Sequence, residues 1–200
     1  MPKIVDHESR RRDFIEAAYQ SILEEGLAKT TIRGVARRAG YTSGALVHYF
    51  SDKDELIRHA LEENGNAVRL RMVSAQEKYR GRKALREVLI EALPTDKSSG
   101  ASWRIWLAMW YHSEESVVMR REEKRRYKEW IGRVTEILRQ SVDMGELPVE
   151  TDLDEEAKRI VALADGIGVQ YLMANGRKSA AQITALLDGY LERLFGAEPD

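Results

Sequence analysis

Residues 31–53 contain the kinds of side chain that a helix needs in order to read DNA. A helix in the major groove needs small residues where its backbone approaches phosphate, polar donors on its outer face and an apolar face that packs on its own domain. Leu46 and Phe50 supply the apolar face. The small residues and outward donors are Thr42, Ser43, Gly44, Ala45, His48 and Tyr49. The pattern therefore predicts a DNA-reading helix here.

Basic side chains flank this segment. Arg33, Arg37 and Arg38 add positive charge to the preceding helix, and Lys53 lies where the start of the next helix can hold a phosphate. The run Arg10–Arg12 has two interpretations: a solvated charged surface, or a basic arm that enters a minor groove.

The spacing of apolar residues predicts an all-α chain, because they recur every three or four positions and no segment alternates with a period of two. Two short helices joined by a glycine-containing turn indicate a helix-turn-helix. Three N-terminal helices are predicted: one over Glu8–Glu25, a two-turn helix led by Thr31, and a short helix from Thr42 or Ser43 to Tyr49. A long helix capped by Asp52 follows. It is open to interruption at Asn64 and Gly65, and Gly81 ends it.

A second helical region follows. Its predicted helices cover Ala84–Leu93, Ser102–His112, Ser116–Met144, a segment from Asp152 or Asp154 to Ala174 that ends at Asn175 and Gly176, and Ser179–Phe195, with a polar loop at Thr95–Gly100 and a connection at Gly145–Thr151. The run Arg120–Lys128 alternates in sign, and Glu122 stands four residues before Arg126, which favours a solvated helix face.

The N-terminal segment TIRGVARRAGYTSGALVHYFSDKDEL resembles the TetR-type helix-turn-helix: a Thr-led helix, an Ala-Gly turn, a small-residue helix ending in His-Tyr-Phe, and a Lys three residues later. The resemblance covers about Glu8–Ala60. It implies a DNA-binding domain at residues 8–60, with its motif at about 31–50, and a helical ligand-binding and dimerisation domain at 61–200. The DNA-facing positions it implies are Thr31, Thr42, Ser43, Gly44, Ala45, His48, Tyr49 and Lys53, to which the charge of Arg33 is added.

Three of these positions, and the neighbouring Tyr41, leave an alternative open. Thr31 and Ser43 either contact DNA or only cap helices through their hydroxyl groups. Tyr49 either binds phosphate or packs within the domain. Tyr41 departs from the family pattern, which more often has a small aliphatic residue there, so it either packs differently or itself reaches DNA.

Aromatic and acidic residues in the second half suggest a ligand site. Trp103, Trp106 and Trp110 share one helix face, which is either core or part of an aromatic cage for a methylated ammonium ion. Asp165, on an apolar face, is either a counter-charge for a ligand or a polar link between helices.

Two segments, WRIWLAMWYHS and ALADGIGVQYLMANG, resemble the C-terminal domain of the choline-sensing BetI group of repressors. This resemblance implies a small cationic amine as effector. The predicted ligand-binding residues are Trp103, Trp106, Met109, Trp110, Asp165 and Tyr171.

The last two helices are the predicted dimer surface, with burial inside one protomer as the alternative. A two-fold pair would set two reading helices about one DNA turn apart. The residues that suggest it are the small Gly166, Gly168 and Ala174 and the apolar Ile183, Leu186, Leu187, Tyr190, Leu191 and Leu194.

The composition excludes several kinds of site and of cellular location. The 200 residues include no Cys, which excludes disulfides and thiolate metal sites, and the formal net charge of −1 neither supports nor excludes DNA binding. The longest apolar stretch, Ile160–Ala174, contains Asp165 and is too short to span a membrane. The N-terminus has no export segment, so we expect a cytoplasmic protein.

Motifs of enzymes are missing from the sequence, which has no phosphate-binding glycine loop, no H-E-x-x-H and no paired His at metal-binding spacing. We therefore expect no catalysis, no cofactor and no metal. The prediction is a ligand-responsive repressor that binds a palindromic operator as a dimer. The alternatives are an enzyme, or a helical interaction protein without a DNA role, which would leave the small-residue helix unexplained.

Overall fold

The computed structural model describes residues 7–113, 117–174 and 179–196, and the regular secondary structure of these residues is entirely helical. This agrees with the predicted fold class. The helices are α1 (His7–Glu25), α2 (Ile32–Arg38), α3 (Ser43–Leu46), α4 (Lys53–Lys78), α5 (Gly81–Ala92), α6 (Lys97–Ser113), α7 (Val117–Asp143), α8 (Leu153–Met173) and α9 (Ala180–Phe195). The predicted helix start at Ser116 and helix end at Asn175 and Gly176 lie outside the described residues.

Side-chain caps determine where the N-terminal helices begin. Thr31, Thr42 and Asp52 each adopt extended backbone and accept a hydrogen bond from the backbone N–H three residues later. Ser43 is therefore the first residue of α3 and not its cap. The same arrangement begins α8 at Asp152 and α9 at Ser179, whose partner Gln182 completes a capping box.

Two predicted helix ends were wrong. The regular part of α3 stops at Leu46, after which residues 47–50 continue in tighter hydrogen-bonded turns, such as that closed by Tyr49 N–H and Leu46 O at 2.9 Å. Helix α4 runs through residues 64–65 without a break, because packing on α1 and α5 outweighs the cost of one internal glycine, about 1 kcal/mol. Gly81, with φ +55°, begins α5 instead of ending α4.

The predicted polar loop at Thr95–Gly100 was also wrong, since α6 begins at Lys97. Asp96 and Ser99 bond reciprocally: Asp96 Oδ1 accepts the Ser99 N–H at 2.7 Å, and Ser99 Oγ accepts the Asp96 N–H at 3.0 Å. These polar residues therefore start a helix instead of breaking one.

The buried residues form two clusters. The N-terminal core joins α1, α2, α3 and the first turns of α4, and it also includes Ile105 and Met109 of α6 and Met119 of α7. The C-terminal core joins α5, α7, α8 and α9 with Met72 of α4. Helices α4 and α7 thus contribute to both cores, and residues 60 and 61, where the predicted domains meet, lie inside α4. In the described part of the chain no helix is long and apolar enough to cross a membrane.

Candidate functional sites

The turn between α2 and α3 fixes the angle between the two short helices. Gly40 has φ +79°, a conformation that strains other residues, and the next N–H, of Tyr41, bonds to Ala36 O at 2.9 Å. Leu46 and Phe50 are fully buried against α1 and α4, as predicted. The outer face of α3 is thereby held in a fixed orientation.

The outer faces of α2 and α3 are open. A Cβ added at Gly44 would meet no atom closer than Thr42 Oγ1 at 3.9 Å, so the backbone of α3 is accessible from outside. Of the residues predicted to contact DNA, Thr31, Arg33, Thr42, Gly44 and His48 are exposed, and Ser43, Ala45, Tyr49 and Lys53 are half-buried.

Tyr49 and Lys53 are each held by neighbours. The Tyr49 hydroxyl lies 3.1 Å from Nδ1 of His7, and its ring packs 5.5 Å from that of Phe14. Lys53 Nζ donates a long hydrogen bond, 3.4 Å, to Leu27 O. Both roles considered for Tyr49 are thus compatible with its position, because it packs and remains partly exposed.

Tyr41 packs on α1. Its ring lies 5.1 Å from that of Phe14, its hydroxyl donates to Asp13 Oδ2 at 3.0 Å, and the Arg10 guanidinium lies over it. The Asp13 carboxylate raises the pKa of Tyr41. The aromatic ring therefore replaces the usual small residue by covering the end of the N-terminal core.

Arg10 and Arg11 lie within α1, so this part of the basic run does not form an extended N-terminal arm. Both side chains are half-buried, so they are not a freely solvated surface either. Arg11 donates to His59 Nε2 at 2.6 Å and lies over the Phe50 ring. Burial, with the nearby charges of Arg11 and Arg58, lowers the pKa of His59.

A cavity of about 750 Å³ lies among α4, α5, α6, α7 and α8. Its wall includes three indole rings, a phenol and two inward carboxylates, together with charged side chains near the surface. These aromatic and inward acidic residues are Trp103, Trp106, Glu123, Tyr127, Trp130 and Asp165.

Trp103 belongs to both the core and the cavity wall. It is 8% exposed, and its Nε1 donates to Ala92 O at 2.7 Å. Its ring fills the space beside Gly168, where an added Cβ would come within 2.1 Å of the indole. Trp106 is more exposed, with its ring centroid 4.7 Å from that of Trp103 and 4.4 Å from that of Trp110.

Three of the predicted ligand residues do not line this cavity. Trp110 borders a smaller recess of about 430 Å³, Met109 is buried in the N-terminal core, and Tyr171 packs on Gly100 of α6. The Trp stripe is thus divided along the helix axis: Trp110 lies about 10 Å further along α6 than Trp103, and it borders the smaller recess instead of the cavity that Trp103 and Trp106 line.

Asp165 forms a polar link and also faces the cavity. Its Oδ2 accepts a hydrogen bond of 2.7 Å from the Tyr127 hydroxyl on α7. Burial raises the pKa of Asp165, and burial with the neighbouring carboxylate raises that of Tyr127. The two roles predicted for Asp165 are compatible in this position.

Glu123 is a site residue that the sequence did not reveal. The run Arg120–Lys128 was predicted to be a solvated face, but Glu123 is only 8% exposed and its Oε1 accepts the Trp110 Nε1–H at 2.7 Å. Burial raises its pKa. The signal available was its spacing of four residues from Tyr127, which puts both on one face of α7.

The arginines at the cavity mouth are engaged by other groups. Arg71 pairs with Glu91 at 2.9 Å, and Arg125 pairs with Glu122 and Glu129, so the predicted Glu122–Arg126 pair is replaced by one three residues apart. Arg126 instead extends over Gly65 and places Nη1 3.7 Å from Met109 Sδ. Within residues 7–113, 117–174 and 179–196, no group of three His, Asp or Glu residues is placed to hold a metal.

Some of the predicted dimer residues are buried inside the protomer and others are exposed. Ile183, Leu187 and Leu191 are buried in the C-terminal core of the protomer, and Gly168 is covered by Trp103. Gly166 and Leu186, which the sequence predicted, are exposed. The other exposed residues of the two helices are Ala162, Gln170, Met173, Ala180, Ala181, Gln182 and Ala185, and the charged Asp154, Glu155, Lys158, Arg159, Glu192 and Arg193. Small and apolar exposed residues are therefore concentrated toward the end of α8 and the start of α9.

The helix-turn-helix presents an exposed helix of small residues, and it is attached to a helical domain with an aromatic and acidic cavity. This combination is typical of ligand-binding transcriptional regulators. Residues 14–60 match the family of bacterial regulatory proteins, tetR family, and residues 81–196 match the BetI-type transcriptional repressor C-terminal domain. The chain belongs to the TetR family and carries a BetI-type C-terminal domain.

Individual relatives agree over nearly the whole length. The chain is 30% identical over 202 residues to the transcriptional regulator BetI of Burkholderia cenocepacia, covering 99% of this chain and 100% of that protein. It is 29% identical over 196 residues to the transcriptional regulator PksA of Bacillus subtilis, covering 97% and 94%. A regulator from Saccharomonospora viridis, solved in complex with choline, has the same fold, with a TM-score of 0.85, 24% identity and coverage of 93% and 97%.

Proposed function

We propose that this helix-turn-helix regulator represses transcription by binding a palindromic operator as a homodimer, and that a small organic cation releases it. The open face of α3 is the base-reading surface, and Arg33, Tyr49 and Lys53 contact phosphate. The proposal includes a purely regulatory role without catalysis. It also places the protein in the cytoplasm, where it has access to the operator.

The dimer forms through the outward faces of α8 and α9. Small residues such as Gly166 and Ala185 allow helices to approach closely, and Leu186, 47% exposed, supplies apolar area for burial. Two copies of this pair of helices would form a four-helix interface and present both α3 helices on one side.

The ligand is a cation with a methylated ammonium group. The observation that supports it is the placement of a buried carboxylate, Glu123, and a half-buried one, Asp165, in a cavity walled by Trp103 and Trp106. Aromatic faces attract a desolvated cation by about 2 kcal/mol, and the carboxylates supply counter-charge. The choline complex of the structural neighbour from S. viridis supports the same ligand class.

Thermal melting tests the ligand class. We expect choline and related methylated amines to raise the melting temperature in proportion to the logarithm of concentration, because they bind only the folded state. The matched control is 3,3-dimethylbutan-1-ol, the neutral carbon isostere of choline, which should produce no shift. Equal shifts with both, or with neither, would reject the cation site.

Selection from a random duplex pool tests the DNA role. We expect the selected sequences to contain two inverted half-sites whose centres are about 10 base pairs, or a multiple, apart. The Leu186→Glu variant should be monomeric by analytical ultracentrifugation and should select no palindrome. Leu70→Glu, which changes an exposed leucine on α4, is the control and should remain dimeric.

A further inference from the structure

The cavity contains an acceptor that nothing in the described protein satisfies. Among the described residues, Glu123 Oε2 is buried and accepts no hydrogen bond, although Oε1 of the same carboxylate is bonded to Trp110. A buried acceptor left without a donor is unfavourable, and more so when it is charged. Such groups are uncommon in folded proteins, and a bound molecule that supplies the donor is one explanation for them.

Neighbouring cations do not satisfy this oxygen. Burial raises the pKa of Glu123, and the Trp110 hydrogen bond and the charge of Arg126 only partly offset this rise. Arg126 Nη1 is directed to Met109 Sδ. Lys124 and Lys128 border the smaller recess on the Trp110 side and do not line the large cavity. Glu123 lines both this recess and the large cavity, and the larger volume of the cavity gives a ligand donor room to reach it.

The cavity has room and charge for a second cationic group. Glu123 on α7 and Asp165 on α8 are each oriented by one aromatic donor, Trp110 and Tyr127 respectively. The residues around the cavity include seven acidic side chains and five arginines, a formal excess of two negative charges. A ligand with one positive charge balances only half of this excess.

We infer that the cavity binds a dication, in which one ammonium group lies against the Trp rings and Asp165 and a second, with N–H donors, bonds to Glu123 Oε2. The ligand class is therefore a short diamine or polyamine with one methylated end. This inference rests on the proposed cation site and specifies its ligand. Glu123 becomes the residue that selects between singly and doubly charged amines.

The test uses two ligands of the same length. In (4-aminobutyl)trimethylammonium one end carries an N–H-bearing ammonium, and in pentyltrimethylammonium a methyl group stands in its place. By calorimetry the dication should bind at least about tenfold more tightly, since a hydrogen bond to a charged group contributes about 1.5–3 kcal/mol and 1.4 kcal/mol is tenfold. Glu123→Gln should abolish this preference, because it should lower the affinity for the dication at least about tenfold more than it lowers the affinity for the monocation.

The matched control is Glu122→Gln, which removes one negative charge from the same helix and cavity but from a carboxylate already paired with Arg125. It should keep the preference for the dication. Equal binding of both ligands by the wild-type protein would overturn the inference and leave the cation site intact, whereas binding of neither would overturn both. Ligand-free Glu123→Gln should melt no lower than wild type; a lower melt with loss of both ligands would show a structural role and also overturn the inference.

Discussion

Arg33 and Lys53 differ in how exposed they are on the DNA-binding surface. Arg33 is exposed on α2, whereas Lys53 is half-buried and bonded to Leu27 O. A phosphate can displace that long hydrogen bond, because an interaction between two charges is the stronger one. Both residues then add to affinity for any duplex without adding sequence preference.

Replacing either residue by Ala should weaken binding to all duplexes and flatten the salt dependence. Each phosphate contact contributes about 0.9 to the slope of log affinity against log salt, so Arg33→Ala and Lys53→Ala should each reduce the slope by about that amount. Titrations at several salt concentrations measure it. The control is Arg139→Ala, an equal charge change on α7, which should leave the slope unchanged. Unchanged slopes in all three variants would show that neither Arg33 nor Lys53 contacts phosphate.

The neighbouring tryptophans of α6 should respond differently to the same substitution. Trp103→Leu removes a buried ring packed on Gly168 and bonded to Ala92 O, so the free energy of unfolding should fall by about 3 kcal/mol. Trp106→Leu removes a more exposed ring and should mainly lower the affinity for methylated amines. Denaturant unfolding and calorimetry separate the two effects; a large stability loss with normal amine affinity in Trp106→Leu would assign that ring to the core.

Helix α6 lies between the two functional parts of the molecule. Trp103 and Trp106 face the cavity, whereas Ile105 and Met109 are buried in the N-terminal core with α1 and α4. A ligand that moves the Trp rings therefore acts on a helix whose other face packs against the DNA-binding domain. This arrangement offers a second connection beside α4, which itself spans from Asp52 to the C-terminal core.

Met109→Ala should weaken communication between ligand and DNA. The variant leaves a gap where α6 meets the N-terminal core, so the free energy of unfolding should fall by about 2–5 kcal/mol and the effect of ligand on operator affinity should shrink. Leu89→Ala, in the C-terminal core, should cost similar stability and keep the ligand effect. Operator titrations with and without amine compare them, and equal ligand effects in both variants would exclude α6 from the coupling.

The sequence predicts what depends on local interactions. Thr31, Asp52 and Ser179 begin helices because a cap needs only its own next three residues, and the small residues of α3 identify a DNA-binding helix within one short segment. The cavity depends on five helices, which bring together residues distant in sequence. Glu123 lies in a run of charges, and only the packing of α7 on α6 and α8 buries it.

At the scale of the whole molecule, DNA and ligand should weaken each other equally. An operator fixes the distance between two α3 helices at about 34 Å, so it selects one arrangement of the dimer, and a ligand that prefers another arrangement must lose affinity when DNA is bound. Thermodynamic linkage requires the same factor in both directions, typically about 5–150-fold. Calorimetry of the amine that shifts the melt most, with and without saturating operator, measures one factor, and operator titrations with and without amine measure the other. Identical amine affinities in both conditions would show that the cavity is not coupled to DNA binding.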